Sequence, residues 1–169
     1  MAGHRAAGPV IRTVAAADEA AFIAAAQASR KLHRPWVQPP CDAKAFARHL
    51  ARFDGAAHHG FLVELDGDLA GAINLTNIVM GAFCSGYLGY YAFAGFEGRG
   101  LMTQGLNAVV RHAFKELGLH RVEANIQPGN LASIALARRC GFALEGYSPR
   151  YLKIAGRWRD HERWARVRP

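Results

Sequence analysis

In one stretch of this 169-residue chain, Phe96-Glu97-Gly98-Arg99-Gly100-Leu101-Met102-Thr103, residue types and spacing converge on chemistry. It follows a strand-like aromatic run from Cys84 to Phe93, which holds Tyr87, Tyr90 and Tyr91, and it opens a helical pattern from about Gly98 to Leu117. The first N–H groups of a helix have no internal partner and sit at the positive end of its dipole, so they attract an anion. Gly98 and Gly100 let backbone approach a phosphate closely, and Arg99 adds a charge. Two phosphate-binding signatures are incomplete. The dinucleotide fingerprint needs glycine where Thr103 stands, and the nucleoside-triphosphate loop needs Gly-Lys followed by Ser or Thr. The loop points to a phosphate ligand of another kind.

The other reactive side chains are dispersed. The eight histidines include the neighbours His58 and His59 but no His-x-x-x-His pair with a carboxylate, so no metal is expected. Cys41, Cys84 and Cys140 stand far apart with no Cys-x-x-Cys pair, which fits free thiols in a reducing cytoplasm. Trp36 lies in a proline-rich loop, His33 to Cys41, either as a packed anchor or as the rim of a substrate cleft. The 21 Lys and Arg against 13 Asp and Glu give a net charge of +8, and from Arg138 to Pro169 nine basic residues face three acidic ones. That asymmetry suits an anionic partner, whether a phosphate-bearing cofactor, an RNA-rich particle or nucleic acid; a merely solvated basic surface is the alternative.

With 51% hydrophobic residues the chain can bury one sizeable core, and the expectation is a single domain over 1–169 with residues 1–9 as a flexible arm. No apolar run approaches a membrane span and no signal-like series opens the chain, so neither a membrane nor a secreted protein is expected. The patterning predicts a strand at Val10–Val14, a helix at Ala15–Leu32 and a second helix from the N-cap Asp42 to about Phe53. Strands at Gly60–Leu65 and Leu69–Val79 flank an Asp66-Gly67-Asp68 turn, and the aromatic strand and its helix follow. A strand at His120–Gln127, a helix at Asn130–Arg139 and a hairpin of Phe142–Ile154 with Trp158–Val167 complete a βααβββαβαββ order in one α/β domain.

Taken together, the segments from Leu88 to Val167 resemble the GNAT superfamily of N-acetyltransferases, in its RimJ/RimL branch of ribosomal-protein N-terminal acetyltransferases. The carriers are Gly98-Arg99-Gly100-Leu101-Met102, Leu119-His120-Arg121-Val122-Glu123-Ala124, Asn130-Leu131-Ala132-Ser133, Gly141-Phe142, Tyr151-Leu152 and Gly156-x-Trp158-Arg159-Asp160-His161. Upstream, Arg34-Pro35-Trp36 and Asn74-Leu75-Thr76-Asn77 extend the likeness. The resemblance implies a mixed, mostly antiparallel sheet of about seven strands, split between strands 4 and 5 and flanked by about four helices. It also implies acetyl-CoA in that split, with backbone at Tyr91, Ala92 and Phe93 free for the pantetheine arm. Gly98, Arg99, Gly100, Leu101, Met102 and Thr103 would meet the pyrophosphate, and Asn125, Asn130 and Arg138 would add cofactor contacts; Arg138 and Arg139 read equally well as a solvated helix face. Trp36, Asn74 and Tyr151 fall to the acceptor.

Departures from the family pattern bear on the chemistry. Glu97 replaces the usual Arg or Gln of the loop, so its side chain is expected to face water. Ala137 stands where many members carry a catalytic Tyr; the resemblance to the RimJ/RimL branch implies instead a helix serine, here Ser133, as the donor to the departing thiolate, unless its side chain only caps its own helix. Asn130 has the same two readings. Arg150 replaces a carboxylate that relatives use as base, and Glu123, acting through water, becomes the substitute candidate beside its alternative as a salt-bridged surface residue. An α-amine, with a pKa near 8, needs little help to lose its proton, whereas lysine near 10.4 needs much. The resemblance thus implies acetyl transfer to a protein N-terminus, such as that of a ribosomal protein, with ribosome association but no direct nucleic-acid recognition, by a monomer or homodimer. A small-amine acetyltransferase and a non-catalytic acyl-CoA-binding protein are the rival readings.

Overall fold

The computed structural model describes residues 8–169. Residues 1–7 of the expected N-terminal arm lie outside them. Seven strands form one sheet in the order β1-β2-β3-β4-β5-β7-β6. They are β1 (Val10–Thr13), β2 (His59–Leu65), β3 (Asp68–Val79), β4 (Ser85–Ala92), β5 (Arg121–Ile126), β6 (Ala143–Ile154) and β7 (Arg157–Val167). All neighbours are antiparallel except β4 and β5. The helices are α1 (Glu19–Ala28), α2 (Arg30–His33), α3 (Ala43–Leu50), α4 (Leu101–Lys115) and α5 (Leu131–Arg139). Apart from the first helix, the order of strands and helices matches the expected one, with boundaries shifted by up to three residues at most ends.

The long first helix expected from the alanine-rich segment is three pieces: a 3₁₀ turn at Ala16–Asp18, then α1 and α2. Composition alone favoured one helix, but Ser29 breaks it. Its hydroxyl donates to the Ala25 carbonyl at 2.6 Å and accepts the Ala94 N–H at 2.8 Å, so the chain turns where it meets the end of β4. Among the described residues five helices rather than about four result. Asp42 caps α3 as expected, accepting from the Ala45 N–H at 2.7 Å.

Period-two alternation splits the core in two. Phe61, Val63, Ile73, Leu75 and Leu88 turn to one face, where Leu106, Val109 and Val110 of α4 and Ile134 and Leu136 of α5 cover them. Their neighbours Leu62, Ala72, Tyr91 and Phe93 turn to the other face, against Phe22 and Phe46 of α1 and α3. Gly105 lets α4 lie close on β2, because a Cβ there would stand 2.6 Å from Val63 Cγ2. At the sheet edge, Arg12 joins Asp18 at 2.7 Å and Glu64 at 2.9 Å, which ties β1 to the turn before α1.

His49, on α3, packs against Phe22 at 5.8 Å and Phe53 at 4.8 Å, and burial pushes its pKa from 6.5 down to about 4. Because the folded ring resists protonation, the unfolded chain binds a proton first as pH falls. Stability should drop between about pH 6.5 and 4, by on the order of 2 kcal/mol from this residue. Thermal unfolding of wild type and His49→Phe across that range is expected to show a shallower slope for the variant; equal slopes would refute the assignment.

Candidate active site

β4 and β5 pair over only three positions, Ser85 with Arg121, Gly86 with Val122 and Tyr87 with Glu123. Beyond them the strands part. The opening is a cavity of about 740 Å³ that passes through the sheet. One lip is Leu88 to Ala92 and the other Ala124 to Gln127; the start of α4 and residues Asn130, Ala132 and Ser133 close one side, and His33, Trp36 and Val37 the other.

The pairing parity of β4 decides which main-chain groups face the opening. The Phe93 N–H donates to the Ala70 carbonyl at 2.9 Å, so Phe93 and Tyr91 direct their groups toward β3, while Leu88, Tyr90 and Ala92 direct theirs toward β5. The expected free groups at Tyr91, Ala92 and Phe93 are thus corrected to alternate residues, and Phe93 does not line the cavity. The Ala92 carbonyl is already engaged by His33 Nε2 at 2.8 Å.

The phosphate-loop expectation rests on α4. Gly98 and Gly100 have φ of 70° and 75°, a left-handed region that other residues enter at a cost. Gly100 is the N-cap and has no side chain to spend on the helix, and Gln104 is the first residue whose N–H closes a helical bond, to the Gly100 carbonyl at 3.2 Å. The preceding N–H groups remain open to an anion. Glu97 is exposed and turns its carboxylate back onto the Gly95 N–H, 2.5 Å away, which braces the loop. Leu101 and Met102 are buried core residues that line the cavity together with Thr103.

Of the basic residues, Arg139 lines the cavity, whereas Arg99 lies over Phe96 and Arg138 over Trp164, with centroid distances of 5.5 and 5.3 Å. Those stacked positions account for both side chains as surface cations.

On α5 the two readings of Asn130 and Ser133 separate. Asn130 Oδ1 accepts the Ser133 N–H at 3.2 Å and caps the helix, so the Ser133 hydroxyl is free of that duty and has no protein partner among the described residues. The Tyr90 hydroxyl donates to the Ser133 carbonyl at 3.2 Å, and burial pushes its pKa up to about 12. Tyr90 is therefore a permanently protonated strut between β4 and α5. Asn125 lies on the opposite face, and its Oδ1 is buried with no partner among the described residues, so a donor on a bound molecule would satisfy it.

Three expected positions fall elsewhere. Glu123 accepts from Arg121 Nε at 2.7 Å, within a network that continues from Arg121 to Glu145, and it does not line the cavity. Burial and the charge of Glu123 raise the Tyr87 pKa, which places that carboxylate beside Tyr87 at the closed end of the split. The expected reach of Glu123 into the cleft through water does not fit this placement. Asn74 pairs with Gly60 and Gly89 within the sheet, and Tyr151 packs edge-on against His161 at 6.3 Å; neither lines the cavity. Sequence patterning missed His33, Tyr90 and Gln127 as cavity residues. Their neighbours Trp36, Tyr91 and Asn125 were expected there, but a histidine at a helix end looks the same whether it faces solvent or a cleft.

The chain matches the model of the acetyltransferase (GNAT) domain over residues 10–143. It belongs to that family. It is 39% identical over 106 residues to the [ribosomal protein uS5]-alanine N-acetyltransferase of Escherichia coli, which covers 63% of this chain and 55% of that protein. A probable N-acetyltransferase of Bacillus subtilis, YjcK, is 37% identical over 116 residues, 69% of this chain and 64% of the relative. The chain thus spans between about half and two thirds of the length of these curated relatives. Among solved structures, Mycobacterium smegmatis RimJ in complex with CoA-disulfide superposes with a TM-score of 0.86 at 28% identity, over 95% of this chain and 86% of that one. Among the described residues, no helix is long and apolar enough to cross a membrane, and no group of three or more His, Cys, Asp or Glu is placed to hold a metal ion.

Since Glu123 is held by Arg121 outside the cavity, Glu123→Gln is expected to leave the rate of any acyl transfer the wild type performs unchanged and to cost the fold no more than about 1 kcal/mol. Steady-state rates beside a thermal melt check this. Lost turnover at unchanged stability would return Glu123 to the reacting groups.

Proposed function

We propose that the protein is an acetyl-CoA-dependent N-acetyltransferase that acts on the α-amino group of a protein N-terminus, by direct attack of the amine on the bound thioester. The observation that carries this reading is the through-sheet cavity. It joins an open helix N-terminus and the free Ser133 hydroxyl on one face to His33, Trp36 and Asn125 on the other.

Each part fits a share of the reaction. Main-chain groups of Tyr90 and the Ala92 N–H face the opening as a strand would face its neighbour, and suit the amides of pantetheine. The Gly98–Thr103 turn receives the pyrophosphate, with Arg139 on the wall. Catalysis then comes mainly from holding amine and thioester together, with a hydrogen bond from Ser133 to the departing thiolate.

The choice of an α-amine follows from what the acceptor side lacks. Among the described residues that line the cavity Glu97 is the one carboxylate, and it belongs to the cofactor loop. Without an acidic wall a polycation gains little there, and lysine, with its pKa near 10.4, stays protonated; an α-amine near 8 supplies its neutral form unaided. A ribosomal protein is the specific acceptor proposed, supported by the likeness to the E. coli enzyme and by a basic C-terminal third suited to an RNA-rich particle in the cytoplasm.

Thiol release from acetyl-CoA is the test. The acceptors are Ala-, Ser- and Thr-initiated peptides, N-blocked peptides that keep a lysine, and small amines. Turnover on free N-termini alone is expected, with kcat of Ser133→Ala down by roughly tenfold or more, the weight of one lost hydrogen bond to a developing charge. Turnover on small amines alone would refute the acceptor. Acetyl-CoA binding with no turnover on any amine would refute the enzyme. In Gly100→Val the strain of a β-branched residue at φ 75° should displace the loop and weaken acetyl-CoA binding by about tenfold or more, read by calorimetry.

A further inference from the structure

Attack by an amine leaves a proton to be removed, and the groups assigned so far do not remove it. Of the titratable residues on the cavity wall, Glu97 is turned onto the Gly95 N–H. Burial raises the pKa values of Tyr90 and Tyr91, so both keep their protons at neutral pH, and Arg139 has no lone pair to offer. Two imidazoles remain. His33 spends Nε2 on the Ala92 carbonyl, and its Nδ1 is sealed from solvent with no partner among the described residues, out of reach of an incoming acceptor.

His161 is held differently. It is 3% exposed, and its Nδ1 lies 2.9 Å from the Arg159 carbonyl oxygen. A carbonyl only accepts, so Nδ1 carries the hydrogen and Nε2 carries the lone pair. Nε2 has no hydrogen-bond partner among the described residues. The ring is steadied edge-on by Tyr151 and lines the cavity with Leu152 and Ile154. Strand register sets its side of the sheet. Ile126 pairs with Glu162 and Asn125 with Arg163, so His161 is the next residue beyond the paired end of β5, on the face of Asn125 rather than that of Ser133. That is the acceptor face.

We propose that His161 is the catalytic base that takes the proton from the attacking amine. This rests on the acetyl-transfer reading above. The neutral amine attacks the thioester carbonyl carbon; the C–N bond forms and the carbonyl π pair moves to oxygen. The nitrogen of this adduct is cationic and gives a proton to His161 Nε2. The oxygen pair then re-forms the carbonyl, and the C–S bond breaks with its electron pair on sulfur, beside the Ser133 hydroxyl. The imidazolium proton passes to that thiolate or to water, and the neutral ring is restored. One N–H hydrogen has been exchanged for an acetyl group and one thiol has formed.

A weak base suffices, because the cationic adduct is far more acidic than a free ammonium ion. Burial is the larger influence on His161 and holds it below the usual 6.5, against the hydrogen bond to Arg159 and the charge of Asp160. The ring is therefore neutral where an α-amine begins to lose its proton. The groups around it are Tyr151 on β6, Asn125 and Gln127 at the end of β5, and Arg159, Asp160 and Arg163 on its own strand.

The experiment measures kcat against pH, from about 5 to 8.5, at saturating acetyl-CoA with two acceptor peptides, one starting with alanine and one with the more basic β-alanine. Wild type is expected to lose activity below pH 6.5 along a limb whose midpoint is the same for both peptides. In His161→Gln, kcat should fall by about 100-fold, the lower range for general-base catalysis, with the limb gone and KM for acetyl-CoA unchanged. Added imidazole should restore part of the turnover of His161→Gly, which a purely structural role would not allow.

A flat wild-type profile, or a limb that moves with the acceptor's own pKa, overturns the proposal without recourse to any variant and so holds even if both variants fail to fold. A folded His161→Gln with wild-type kcat and limb overturns it as well. A wild type that acetylates neither peptide refutes the N-terminal acetyltransferase reading itself, an outcome distinct from an active enzyme indifferent to His161.

Discussion

Two parallel strands that pair at three positions and then part set the conditions for everything in the cleft. A strand inside a sheet satisfies its main-chain groups on both sides, and β4 does so only up to Tyr87. From there to Ala92 one edge faces space. Leaving a buried amide without a partner costs roughly 1 to 3 kcal/mol, and His33 removes part of that cost by bonding the Ala92 carbonyl. The rest is left to solvent or to a bound molecule, and an extended molecule that carries its own amides is the natural complement. The opening persists because both faces of β4 are packed beside it, Leu88 under α4 and Tyr91 and Phe93 under α1 and α3.

The same divergence sorts the chemistry by face. Helix N-termini and Ser133 gather on the side of α4 and α5, while imidazoles, Asn125 and Trp36 gather on the other. Charge follows this division, with uncapped N–H groups at the start of α4 on one side and few fixed charges on the other. Neither half suffices alone for the proposed acetyl transfer, whose new bond would lie in the plane of the sheet between them.

The fold and the glycine turn before α4 were legible in the sequence for a local reason. An aromatic strand, glycines at positions that need positive φ and a helix without a capping side chain are consecutive in the chain, so Gly98, Gly100 and Thr103 could be placed before any tertiary contact was known. The break at Ser29 was not legible, since what ends α1 there is a bond to Ala94, 65 residues away. Catalytic side chains suffered most. Glu123 looked suitable as a base in a strand of the split, but which end of the split it occupies depends on register, and register gives it to Tyr87 and Arg121. His161 stood in a noted motif without a role, because its tautomer is set by the carbonyl of Arg159 and its surroundings by the opposite strand. Ser133 gained clarity only through Asn130, whose side chain takes over the capping that either could have performed.

The bond from His33 to the Ala92 carbonyl has a mechanical meaning. It fastens the helical turn that leads into the Trp36 loop to the strand end that leads into the glycine turn before α4. The two substrates would therefore press on opposite ends of one lever. If the thioester draws the end of β4 toward itself, the acceptor wall follows, and thermodynamic reciprocity obliges an acceptor that shifts this wall to change thioester affinity by the same factor. Order of addition, and any synergy between the two substrates, would then be written in a single side chain that need touch neither of them.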